Sequence, residues 1–218
     1  MDAGTSIMDH LRDATRGLHK QAESRPLQRA MARGTLPRAS YVMYLAQLRH
    51  LHAALETALD QPAASRAGLS ELFTEDRRRV PDLDQDLASF NVDPAEVPAL
   101  APTQQFIERI GALLDEDPLS LLGPLYVLEG STNGGRFLAR VLERSLRLDG
   151  GTGLSYMDPY GDRQPEMWAS FKRLADALAL TSEQADAVTE SAGRTFAAIA
   201  EISDAIVPPE ETGPLKAD

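Results

Sequence analysis

The chain has 218 residues, 43% of them hydrophobic, and a formal charge of −11. That length fits one large domain or two small ones, and the acidic balance speaks against a nucleic-acid binder. The absence of cysteine excludes disulfides, thiolate metal sites and a cysteine nucleophile, and it suits a reducing compartment.

Helical periodicity runs along the chain, with no convincing β-alternation. A first helix is expected from about Ser6 to Ser24, closed by Pro26. At about 100° per residue, Ile7, Leu11, Ala14, Leu18 and Ala22 form its apolar stripe. A short helical turn, Leu27–Arg33, ends at Gly34. Pro37 opens a long helix with Tyr41, Leu45, Leu48, Leu51, His52, Leu55 and Leu59 at helical spacing, and Pro62 ends it. On that helix His52 should face the core and His50 solvent or a neighbour. Leu69–Phe73 and Leu83–Phe90 read as helical pieces with Pro81 between them, and Arg77–Arg79 as a solvated helix face. Asn91–Pro102 holds three prolines and reads as a loop. Thr103 can cap a helix to about Leu114. Asp117-Pro118 can start another that runs to about Leu148. The glycine-rich stretch Asp149–Arg163 is the one long connection and could border a pocket. Glu166–Leu180 is amphipathic around Met167, Phe171, Leu174 and Leu178. Thr181 and Gln184 form a candidate capping box for a last helix that turns Ala185, Val188, Ala192, Phe196 and Ile199 inward. The expectation is a single all-α domain of about eight helices over residues 1–207, with a flexible, proline-rich tail at 208–218. The N-terminal residues lack a basic lead and apolar core. The most apolar run, Leu119–Leu128, is too short to span a bilayer. A cytoplasmic protein without membrane association is therefore expected.

Two stretches carry chemistry. In LRDATRGLHKQAE, His19 lies at the edge of the apolar stripe, with Arg12 and Arg16 on the same flank and Glu23 one turn on. That grouping suits a planar, iron-containing dianion. A neutral imidazole can ligate iron, guanidiniums can pair with carboxylates at a pocket mouth, and Glu23 can hold the second ring nitrogen. The alternative is a solvated histidine on an ordinary amphipathic helix. In LYVLEGSTNGGRFLARVL, Gly130, Gly134 and Gly135 interrupt a helical pattern. Each costs up to about 1 kcal/mol relative to alanine, roughly 3 kcal/mol together, a large share of the ~5–15 kcal/mol that holds a domain folded. Gly130 and Gly134 share a face with Val127, Ser131 and Leu138 nearby. Such a face admits either something flat or a closely crossing helix, and glycine pairs also let a helix kink. A flat group held between His19 and the glycine face would explain both stretches.

These two stretches together resemble the proximal and distal helices of the bacterial branch of the heme oxygenase family, including enzymes that accompany bacterial phytochromes. The similarity extends to LPRASYVMYLAQLRHLHAALE and SFKRLADAL. It implies an all-α fold in which heme b is substrate and cofactor. O2 and an external electron donor, a ferredoxin- or flavoprotein-type reductase, would convert heme to biliverdin, iron and carbon monoxide, with a bacterial phytochrome as a candidate biliverdin acceptor. By the resemblance His19 is the iron ligand and Glu23 its partner. Arg12, Arg16 and Lys172 face the propionates, Gly130 and Gly134 are distal contacts, and Phe196 is an aromatic near the pocket. The animal enzymes carry aspartate at the position of Ser131 and arginine at that of Val127, so their proton-delivery network does not transfer. Ser131 with ordered water is the candidate proton source here. Asn133 stands where leucine or serine is more usual.

Other readings fare less well. A di-iron carboxylate bundle needs Glu-x-x-His pairs, and none of His10, His19, His50 and His52 has a glutamate three residues before it. A thiamin-degrading relative would want a cysteine. A non-catalytic heme carrier or sensor with the same fold is the remaining alternative.

Overall fold

The computed structural model describes residues 6–207. The tail expected at 208–218 lies outside the described residues. The described residues include nine α-helices and four short 3₁₀ turns, with no strand among them. The helices are α1 (Ile7–Glu23), α2 (Pro26–Arg33), α3 (Arg38–Leu59), α4 (Pro62–Arg66), α5 (Val80–Ser89), α6 (Ala101–Glu116), α7 (Leu122–Leu146), α8 (Gln164–Asp176) and α9 (Ser182–Ile206). None is long and apolar enough to cross a membrane.

Local chemistry places most boundaries. The Ser6 hydroxyl accepts from the Asp9 amide and starts α1. Gly34 takes φ 69° after α2, the left-handed conformation that ends a helix cheaply only at glycine. Thr181 and Gln184 make the reciprocal capping box at the start of α9. Thr181→Ala is expected to cost about 1 kcal/mol, read as a lowered midpoint in denaturant with an unchanged slope.

Several expectations need correction. Pro62 does not merely end α3; it occupies the first turn of α4, where its missing N–H costs nothing. Pro81 likewise sits inside the first turn of α5. Leu69–Phe73 forms turns rather than helix, because Leu69 and Leu72 both drop into the core. Thr103 does not cap α6. It lies within the helix, fully buried, and its hydroxyl donates to Gln47 Oε1 at 2.7 Å. Ala14 faces solvent. Its place in the buried stripe of α1 goes to Thr15, which can be buried because its hydroxyl donates to the Leu11 carbonyl at 2.7 Å. Arg77–Arg79 is not a solvated face: Arg77 and Arg79 are each 5% exposed. Arg77 Nε meets the buried Glu129 carboxylate at 3.4 Å, and Arg79 lies over the Tyr160 ring. Buried countercharge draws these two inward, while Arg78 between them pairs with Asp60 at the surface.

The core has two clusters. One gathers α1, α6, the first half of α7, α8, α9 and the C-terminal half of α3. The other gathers α2, α5, the N-terminal half of α3, the second half of α7 and Leu154–Met157 of the long connection. Helix α1 lies along α9, where Gly193 lets Leu18 approach closely. The two clusters meet beside the middle of α7, and a cleft opens there.

Candidate functional site

The cleft has a volume of about 660 Å³, inside the ~300–1,000 Å³ range of small-molecule and cofactor sites. One wall is α1, α9 contributes the side, and α7 with Tyr156 and Met157 forms the opposite wall. His10, His50 and His52 do not line it, while His19 does. His50 is turned aside, its Nε2 2.8 Å from the Val97 carbonyl.

On the α1 wall, His19 Nδ1 stands 3.3 Å from Glu23 Oε2. The imidazole meets the Phe196 ring edge-on, with centroids 5.7 Å apart. A carboxylate on Nδ1 leaves Nε2 as the nitrogen available to the cleft, the arrangement that orients a ligating histidine and raises its basicity. Arg12 and Arg16 line the mouth. Arg12 rests on Asp9 at 2.7 Å and Asp13 at 3.1 Å, and Arg16 on Asp13 at 2.7 Å. Such exposed pairs are weak and screened by salt, so a carboxylate arriving at the mouth can compete for both cations. Lys20 lines the cleft as well. Lys172 does not; it is exposed on α8, one turn beyond the lining residue Trp168.

The α7 wall separates the three glycines. A Cβ at Gly134 would meet nothing within 4 Å, and one at Gly130 would reach only the outer edge of the Trp168 ring at 3.6 Å. Neither glycine has a neighbouring backbone held against it. Close helix packing therefore does not account for these two glycines, and the open cleft does. Gly135 is different. A Cβ there would stand 1.9 Å from the Met157 carbonyl oxygen. Gly135 borders the cleft, and its missing side chain also admits the backbone of the long connection. Val127 is buried on this wall. Ser131, Thr132 and Asn133 each donate to the carbonyl three residues back, at 2.7, 2.7 and 2.9 Å. Bonds of this kind draw helix carbonyls off axis and bend helices.

Four polar residues close to this wall escaped the sequence reading. Asp86, fully buried on α5, accepts the amides of Ser155 and Tyr156 at 2.8 and 2.9 Å. Tyr156 itself lines the cleft. Behind α7, the Tyr160 hydroxyl donates to Glu129 at 2.9 Å, and burial pushes the Glu129 carboxyl above its usual range. Their only sequence signal was the glycine-rich connection, which holds both tyrosines.

The family model for heme oxygenase matches residues 5–205. The chain belongs to the heme oxygenase family. It is 27% identical over 202 residues to a heme oxygenase from Takifugu rubripes, an alignment spanning 89% of this chain and 72% of that one. It is 25% identical over 196 residues to heme oxygenase 1 from Rattus norvegicus, spanning 87% of this chain and 68% of that one. Among solved structures, heme oxygenase from Leptospira interrogans superposes with a TM-score of 0.86 at 23% identity, covering 92% of this chain and 100% of that one. Heme oxygenase-2 from Synechocystis sp. PCC 6803, solved with heme and NO, gives 0.87 at 20% identity, covering 93% of this chain and 85% of that one. These superpositions establish the shared heme oxygenase fold. The donor set in the cleft also suits heme: an oriented imidazole on one wall, bare main chain on the other, and cations at the mouth.

Proposed function

We propose that this chain binds heme b in the α1–α7 cleft and cleaves it to biliverdin, ferrous iron and carbon monoxide, using O2 and electrons from a separate protein. One observation carries the reading. His19, its Nδ1 held by Glu23, shares the cleft with a stretch of α7 where Gly134 opens onto free space and Gly130 meets only the edge of the Trp168 ring. Heme supplies the iron at which oxygen is reduced and the ring that is opened.

The residues of the chain do the rest. His19 Nε2 would hold the iron as a neutral imidazole, with Glu23 fixing its tautomer. Arg12 and Arg16 would leave Asp9 and Asp13 for the propionates and so set the rotation of the ring in the cleft. Lys172 would approach a propionate from α8. Gly130 and Gly134 would bring main chain against the distal face, limiting room there to a diatomic ligand. Val127 and Phe196 would supply apolar walls that exclude water. Ser131 would present a hydroxyl on the distal wall. The basic edge of α1, Arg12, Arg16 and Lys20, offers a docking place for a ferredoxin- or flavoprotein-type donor. A bacterial phytochrome as biliverdin acceptor is supported by the resemblance of YVLEGS to phytochrome-associated enzymes.

The test is aerobic turnover. Protein, hemin and a reductant in air should give the red absorption of biliverdin, with carbon monoxide released. A stable ferrous spectrum and no biliverdin would mean a heme carrier instead.

A further inference from the structure

Reducing oxygen consumes a proton for each electron delivered, and the distal wall must supply them. Ser131 does not suffice alone, since its hydroxyl hydrogen is already directed at the Leu128 carbonyl, 2.7 Å away. Tyr156 lines the same wall as Ser131. Behind it, the phenol oxygen is 3.2 Å from His52 Nε2, the two rings meeting edge-on at 5.4 Å. His52 is 5% exposed. Its other nitrogen, Nδ1, stands 3.9 Å from Glu56 Oε1, one turn along α3. At that separation the two groups are not hydrogen-bonded, and a proton passes between them when the Glu56 side chain swings toward the ring. Glu56 is 7% exposed. Its Oε1 accepts the amides of Arg79 and Val80 at 2.7 and 3.0 Å, and its Oε2 lies 3.8 Å from Arg78, whose side chain is a quarter exposed. The row therefore leads from the cleft to the protein edge.

The chemical state of each member suits passage of a proton. Burial holds His52 neutral, its pKa lowered to about 3. A neutral imidazole has one N–H and one lone pair, so it accepts at one nitrogen as it gives from the other. Burial also raises the Glu56 carboxyl above its usual range. The fold commits a fully buried carboxylate, Asp86, to the amides at Ser155 and Tyr156, which fixes the phenol in place.

We propose that Tyr156 donates protons on the distal side of the cleft and that His52 and Glu56 are positioning residues that reload it from solvent, an inference that rests on the heme-cleaving reading above. Per proton delivered, Tyr156 Oη loses its hydrogen to the cleft and takes one from His52 Nε2. His52 Nδ1 takes one from Glu56, and Glu56 takes one from water. Glu56 starts and ends protonated, the row returns to its starting charge, and His52 recovers its Nε2–H tautomer by exchange of its ring proton before the next delivery.

Tyr156→Phe keeps the ring that lines the cleft and removes only the hydroxyl. It should bind hemin with wild-type affinity and spectrum. Biliverdin formation under saturating reductant should fall at least about tenfold, the low end being set by the second source at Ser131, since positioned proton transfer contributes on the order of 10²–10⁴-fold. His52→Gln distinguishes relay from support. The amide can still donate to the phenol oxygen, yet it cannot take up a proton at one end and release one from the other. Slow turnover with intact hemin binding in H52Q supports the relay, whereas wild-type turnover in H52Q or Y156F overturns it. Should Y156F fail to take up hemin, H52Q decides alone. Absence of biliverdin from the wild-type protein would defeat the heme-cleaving reading, a result separate from either variant's.

Discussion

His19→Ala is expected to abolish the ferric spectrum of the hemin-loaded protein and its biliverdin production while leaving the fold in place. The side chain is 55% exposed, and its named neighbours are Glu23 and the edge of Phe196. Substitutions at such positions usually change stability by no more than about 0.5 kcal/mol, so thermal unfolding should be nearly unchanged. Function should fare otherwise. The apolar walls would remain and could still take up a porphyrin, but no other histidine lines the cleft, so a bound iron would be left without an imidazole. Added imidazole, entering the space left by the side chain, should restore the spectrum and part of the turnover. An H19A protein with unchanged spectra and activity would remove His19 from the site and with it the assignment of the α1 wall.

Two neighbouring glycines on α7 should respond in opposite directions. Gly135→Ala places a methyl 1.9 Å from the Met157 carbonyl oxygen, and a backbone atom cannot swing aside as a side-chain tip can. Either α7 or the connection carrying Tyr156 must move. Overpacking of this kind costs about 1–3 kcal/mol, and each kcal/mol lowers the melting temperature of a chain this size by roughly 2–4 °C. Gly134→Ala meets nothing within 4 Å and removes the entropic cost of a mid-helix glycine. It should be stabilised by up to about 1 kcal/mol. Its methyl, however, enters the cleft on the wall that faces His19, and oxygen-dependent turnover should slow. A melting temperature raised in G134A and lowered in G135A is the signature of one glycine kept for a ligand and one kept for packing. Equal shifts in the two variants would mean that both positions serve the same purpose.

Much of this site was readable from residue order because it is built from single helices. His19, Glu23, Arg12 and Arg16 lie within four turns of α1, and helical spacing alone puts them on one flank. Gly130 and Gly134 are likewise one turn apart on α7. Wherever a relationship is local, the 3.6-residue period carries it, and capping at Thr181 and the stop at Gly34 follow by the same local logic. What the period could not carry was partnership between distant segments. It could not show that Gly135 yields to the Met157 backbone while Gly134 yields to empty space, since both are equally bare as letters. Nor could it show that Arg77 and Arg79 turn inward. A run of three arginines looks solvated until buried Glu129 and Tyr160, from other elements, are set beside it. Thr103 looks like a cap until Gln47 of α3 reaches its hydroxyl.

Sequence by itself determined the all-helical architecture and picked out the two stretches, with their histidine and glycines, that the fold brings to one cleft, because each stretch stands out by periodicity within one element and by composition. The tertiary structure alone decided which glycine opens onto the cleft, where the arginines rest, and that Tyr156, His52 and Glu56 form a row behind it. Those facts depend on contacts between residues as far apart as α3 and the long connection, brought together by burial of a shared core, and no local pattern encodes the distance between such partners.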